Sequence, residues 1–145
     1  MDKERLTDQE RIERDRIVEE NLIPEGKIDP ESNYEFGESR DFDGLKPEGL
    51  RKLIEKGYTD LDEMQGYTHD HGEYLDFCER HPGFTMVGYL ITNRRNDCRI
   101  SIVGVMGEPG TLDKKGIIEF VESFRDAEYF EMALADGEGY YCRYD

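Results

Sequence analysis

The chain has 145 residues, a length that suits one domain with a modest core. Its 35 acidic residues against 19 basic ones give a net charge of −16, which repels nucleic acid and anionic membranes and favours basic partners. No apolar run approaches the ~18 residues of a membrane span. Residues 1–10 lack the apolar core of a signal peptide, and three scattered cysteines (Cys78, Cys98, Cys142) make no disulfide framework, so the expectation is a protein of the reducing cytoplasm.

Only 36% of the residues are hydrophobic and 37% are charged, so part of the chain is expected to lie outside a packed core. Residues 1–44 read as that part, an acidic leader. Within it Thr7 to about Leu22 is a charged helix: Thr7 caps it, Glu10 completes a capping box, and acids fill the first turn. Its apolar residues (Leu6, Ile12, Ile17, Val18, Leu22, Ile23) form only a ragged stripe. Residues 24–44 show no period and are rich in Pro, Gly, Ser and acids, which reads as an extended or flexible arm.

The domain proper is expected over residues 45–145. Pro47 opens a helix with Leu50, Leu53 and Ile54 on one stripe, and Gly57 stops it. Thr59 caps a second, short helix through Gln65. A third helix spans Thr68 to His81, with His71, Tyr74, Leu75, Phe77, Cys78 and His81 on one arc and Glu73, Asp76, Glu79 and Arg80 on the other; His69 falls on the polar side.

Phe84–Thr92 and Cys98–Met106 are two β-branched and aromatic runs joined by Asn93–Asp97, a hairpin with a longer loop. Period-two alternation puts Phe84, Met86 and Leu90 opposite Val87, Tyr89 and Ile91. In the second run Cys98, Ile100, Ile102 and Met106 share one face, with Arg99, Ser101, Val103 and Val105 on the other. Gly88 and Gly104 mark bulges or close approaches. Asp113 to about Asp126 is a fourth helix, and Glu128–Ala135 with Tyr140–Tyr144 make a second hairpin. The fold class is therefore α+β: a mostly antiparallel four-stranded sheet in the order α-α-α-ββ-α-ββ, with helices packed on it.

All three histidines lie within thirteen residues, together with Cys78. Zinc is the chemistry this pattern raises, but His71 and Cys78 stand about 10 Å apart along the helix at ~1.5 Å per residue. Ligands of one zinc sit ~2.0–2.3 Å from it, so only Cys78 and His81 can share an ion, with help from Cys98 or Cys142. A thiolate–imidazolium pair of Cys78 and His81 is the enzymatic alternative; no glycine-rich elbow flanks it, and the helix C-terminal dipole opposes a thiolate. The favoured expectation is Cys78 as a small buried hydrophobe and His81 as a cation suited to the last turn of its helix. No cofactor motif is present: Gly104–Gly110 has neither phosphate-loop spacing, and the paired acids Asp60/Asp62 and Asp41/Asp43 are what 35 acids produce by chance.

The binding candidates lie in the arm, where Tyr34, Phe36 and Phe42 stand among Asp41, Asp43 and other acids, either as anchors for a basic, apolar groove or as an ordered extension packed on the chain's own domain. The expected function is macromolecular binding of a basic protein in an immunity-, inhibitor- or adaptor-like role, with imitation of a nucleic-acid backbone as a special case. A metal or thiol enzyme on Cys78 and His81, or an accessory structural domain, is the alternative.

Overall fold

A computed structural model of the chain describes residues 6–36, 39–64, 69–94, 99–133 and 139–144. Among these residues it is an α+β protein with five helices and a six-stranded antiparallel sheet. The order along the chain is α1 (Asp8–Glu20), β1 (Leu22–Ile28), α2 (Asn33–Phe36), β2 (Ser39–Leu45), α3 (Pro47–Glu55), α4 (His71–Arg80), β3 (Phe84–Ile91), β4 (Ile100–Gly107), α5 (Lys114–Phe124), β5 (Tyr129–Ala133) and β6 (Gly139–Arg143). Across the sheet the order is β1-β2-β3-β4-β6-β5.

The expected four strands are therefore six. The two further ones come from residues 22–45, read from sequence as an arm: β1 pairs with β2, and β2 pairs along β3 from Ser39↔Ile91 to Leu45↔Met86. Phe42 and Leu45 supply the reason, since both are buried in the core and no loop has cause to bury them. The expected short helix after Thr59 is replaced by a turn at 61–62 and an isolated bridge from Met64 to Asp70; Gln65 and Thr68 lie outside the described residues.

The helices share one face. Val18 of α1, Leu50 and Leu53 of α3, Tyr74, Leu75, Phe77 and Cys78 of α4, and Phe120 and Phe124 of α5 join one cluster with Phe42, Met86, Leu90, Ile102, Val105 and Cys142 of the sheet. The capping box of Thr7 and Glu10 starts α1 as expected, and Asp70 with Glu73 makes a second one at α4.

The other face carries Asp41 and Asp43 (β2), Val87 and Tyr89 (β3), Ser101 and Val103 (β4), Tyr141 and Arg143 (β6), and Tyr129 and Glu131 (β5), by alternation with the core residues. One register shift alters the expected faces. Val87 pairs with Gly104 but Gly88 with Ile102, so Val103 is an inserted residue. Beyond this bulge Val105 turns into the core and Met106 out of it, the reverse of strict alternation. Gly104 is required here: a Cβ would lie 1.9 Å from the Cys142 carbonyl oxygen. Across the open face Arg143 donates from Nη2 to Asp41 Oδ2 at 3.4 Å, joining β6 to β2.

Beneath α1 and α2 lies a buried charged network. Arg14 is fully buried; its Nε donates to Asp15 Oδ1 and its Nη2 to the Tyr34 hydroxyl, which donates in turn to Asp15 Oδ2 at 2.5 Å. Arg40, also buried, donates to Asp15 Oδ2 at 3.0 Å, to Glu19 and to the Asp29 carbonyl. Burial raises the Tyr34 phenol far above its ordinary value, so it serves as a neutral donor and acceptor between the ions.

Candidate functional site

The cysteines and histidines singled out from sequence occupy separate structural roles. Cys78 sits 2% exposed in the core, flooring a groove of about 590 Å³ between Ile23, Pro47 and Phe84, and burial pushes its thiol well above the ordinary range. Cys142 is buried too, its thiol pushed up to about 12 by desolvation. Both thiols are held neutral, the reverse of what a nucleophile needs. His81 caps the C-terminal end of α4 with Nε2 3.0 Å from Glu119 Oε2. Arg80 also bonds Glu119, and chiefly for that reason the Glu119 carboxyl lies below the usual carboxylate range. Cys98 lies outside the described residues. Among the described residues no three His, Cys, Asp or Glu side chains gather where they could hold one metal ion.

The arm residues divide in the same way. Tyr34 belongs to the buried network and Phe42 to the core, so neither is a surface anchor. Phe36 ends α2, and its side chain lies outside the described residues. Asp41 and Asp43 do face outward from β2; Asp41 accepts from Arg143, and Asp43 Oδ1 accepts from the Lys27 N–H at 2.7 Å.

A third group was not singled out. The turn after Thr59 folds back on the start of α4: the His71 N–H donates to the Glu63 carbonyl at 2.8 Å and the Gly72 N–H to the Leu61 carbonyl at 2.9 Å. This brings Asp60, Asp62 and Glu63 to the start of α4, where Asp70 and Glu73 lie; Asp76, one turn on, is paired with Arg80 at 2.8 Å. Two large apolar side chains stand among them exposed, Leu61 at 45% and Met64 at 49%. The signal in the sequence was the absence of base: residues 57–79 hold seven acids and no lysine or arginine.

His71 positions this surface. It is 1% exposed, and its Nε2 accepts from the Ile102 N–H at 3.1 Å, next to the β4 bulge. A backbone N–H can only donate, so the proton of the neutral ring is on Nδ1, which donates to Thr59 Oγ1 at 2.9 Å. Thr59 Oγ1 then donates to Glu63 Oε2 at 2.8 Å. The chain Ile102–His71–Thr59–Glu63 thus ties the acidic turn to the centre of the sheet. His69 was expected on the polar side of a helix; it precedes α4 instead. Its Nε2 donates to the Ser123 carbonyl and its Nδ1 lies 2.7 Å from Glu73 Oε2, with the ring edge-on to Tyr74, Phe124 and Tyr144. Chiefly through that bond, Glu73 is held below its ordinary pKa.

Replacing His71 with leucine is expected to cost about 1–3 kcal/mol, because the buried Ile102 N–H loses its acceptor. Urea unfolding measures the loss, and hydrogen exchange at Ile102 should rise more than at Leu90, whose pairing with Ile100 does not involve the histidine.

No protein-family model, curated protein or solved structure matches the chain. Among the described residues no helix is long and apolar enough to cross a membrane.

Proposed function

We propose that this is a cytoplasmic binding protein that captures a basic protein through the surface formed by the turn 60–64 and the exposed side of α4. The observation that carries the reading is the exposure of Leu61 and Met64 beside the carboxylates of Asp60, Asp62, Glu63, Asp70 and Glu73, in a segment (57–79) that holds no lysine or arginine; Asp76, farther along α4, is paired with Arg80 at 2.8 Å. Carboxylates steer a cationic partner and set its orientation, while apolar side chains supply burial once it arrives. Methionine adapts its shape to the surface it meets. An acidic surface kept only for solubility gains nothing from exposing two large apolar side chains at its centre.

The test is an affinity comparison between variants of equal net charge, using a short peptide of lysine and leucine as probe at about 50 mM salt, where surface charge is weakly screened. Asp62→Asn with Asp76→Asn should weaken binding severalfold, and Leu61→Ser with Met64→Ser should weaken it further. Glu20→Gln with Glu122→Gln, which removes as much charge elsewhere, should leave it nearly unchanged. Equal losses from both charge pairs would mean that net charge, and not this surface, holds the probe.

A further inference from the structure

The sheet has two edges, and they are built differently. At β1 the register breaks between Leu22 and Lys27, and the break contains Pro24, which has no N–H, and Gly26; Lys27 adds a positive charge. Proline, an irregularity and a lysine are the devices by which sheets refuse a further strand. At β5 none of them is present. Residues Tyr129 to Ala133 run in unbroken register against Arg143 to Gly139, without proline, glycine, lysine or arginine. Tyr129 is 53% exposed and Glu131 is exposed, both on the open face, while Phe130 and Met132 pack against the margin of the core. The outer N–H and C=O groups of β5 thus form a regular, uninterrupted template.

The charge along this edge selects the occupant. Arg125, Asp126 and Glu128 lead into β5, Glu131 is its central residue, and Arg143, beside Tyr129 on β6, is drawn toward Asp41 at 3.4 Å, so the edge keeps an excess of carboxylates. A second copy pairing antiparallel about that centre would set Glu131 against its own equivalent, and like charges directly opposite are destabilising. A strand carrying lysine or arginine at alternate positions meets the reverse situation. The edge is also continuous with the surface described above: His69 links Glu73 to Ser123, and Tyr144, the neighbour of Arg143, bonds Asp126 at 2.6 Å.

We infer that β5 accepts an extended segment of a basic partner as a seventh strand, with alternate basic side chains over Glu131 and Tyr129 and alternate apolar ones beside Phe130 and Met132. This rests on the reading of the protein as a binder of basic proteins and adds the form in which the partner is held.

The probe is a short capped peptide alternating lysine and valine, titrated into the full chain at about 50 mM salt, with two companions N-methylated at every lysine or at every valine. An added strand turns only one set of its amides toward β5. One methylated peptide should therefore bind at least about tenfold more weakly than the parent while the other keeps most of the affinity. Glu131→Lys should weaken the parent peptide about tenfold, and amides of β5 should gain exchange protection. Equal binding by all three peptides, or no protection at β5, overturns strand addition. If the lysine–leucine probe still distinguishes the charge-matched variants in that case, the wider reading stands; if no basic peptide binds at all, both fall. Sedimentation showing a dimer of the chain that buries β5 would also overturn the assignment, in favour of a second copy.

Discussion

Replacing Asp15 with alanine is expected to destabilise the protein by about 3–5 kcal/mol, a large share of the roughly 5–15 kcal/mol that holds a domain together. Asp15 is the shared carboxylate of the buried network, accepting from Arg14, Arg40 and Tyr34. Without it two guanidinium groups remain in the interior, Arg14 at 0% and Arg40 at 4% exposure, with far less to offset their lost hydration. The cost arises from the stranded cations more than from the lost bonds. Replacing the ions together, as Arg14→Met, Asp15→Leu and Arg40→Met, should therefore recover much of the stability that the single change removes. Urea unfolding of the three proteins decides it. A single variant as stable as the parent would show that water reaches these groups. Tyr34→Phe should cost less, about 1–3 kcal/mol, since it leaves the ion pairs in place.

Phe120→Ala is expected to cost about 3–5 kcal/mol by a different mechanism, the opening of a cavity that rigid neighbours cannot fill. Phe120 is fully buried on α5, with ring centroids of Phe130 at 5.1 Å, Tyr140 at 5.3 Å, Phe124 at 5.6 Å, Phe84 at 5.8 Å and Phe77 at 6.2 Å. These rings come from α4, α5, β3, β5 and β6, so the loss should appear as global unfolding at lower urea with an unchanged slope. Phe120→Leu, which keeps most of the volume, should cost much less. Ile118→Ala, on the same helix but 49% exposed, should be close to neutral.

The parts of the fold legible in the sequence were those whose apolar residues follow a period. Leu50, Leu53, Phe120 and Phe124 declared α3 and α5, and the runs Phe84–Thr92 and Cys98–Met106 declared the central hairpin, whose strands are Phe84–Ile91 and Ile100–Gly107. β1 and β2 did not, because β1 holds Pro24, Gly26 and only two apolar residues directed at the core, Leu22 and Ile28, while β2 alternates Phe42 with aspartates. An edge pair with one open face needs little more than that. α1 misled for another reason. Its inward residues include Arg14 and Asp15, charged side chains that a hydropathy stripe assigns to solvent, while Ile12 is 42% exposed. Charges become core residues when they meet partners from distant segments, here Tyr34 and Arg40, and a periodic pattern has no means of recording that.

The candidate site was hidden by similar causes. The aromatic side chains of the arm fit either partner anchors or an ordered extension packed on the domain; the second holds for Tyr34 and Phe42, since Phe42 points inward by alternation and Tyr34 is drawn in by its hydroxyl. His71 was correctly placed on the inner face of its helix, but its bonds to Ile102 and Thr59 depend on the β4 bulge and on the turn folding back. The acidic surface itself required noticing where bases are missing, which charge totals obscure.

The proposed function requires that a basic partner be drawn to one surface and not to the net charge. Amide chemical-shift mapping during titration with the lysine–leucine peptide tests it most directly. Shifts should concentrate at Leu61, Asp62, Met64, Glu73 and Asp76 and fade as salt is raised to about 500 mM. Shifts spread evenly over the exposed carboxylates of α1, β1 and α5 would contradict it.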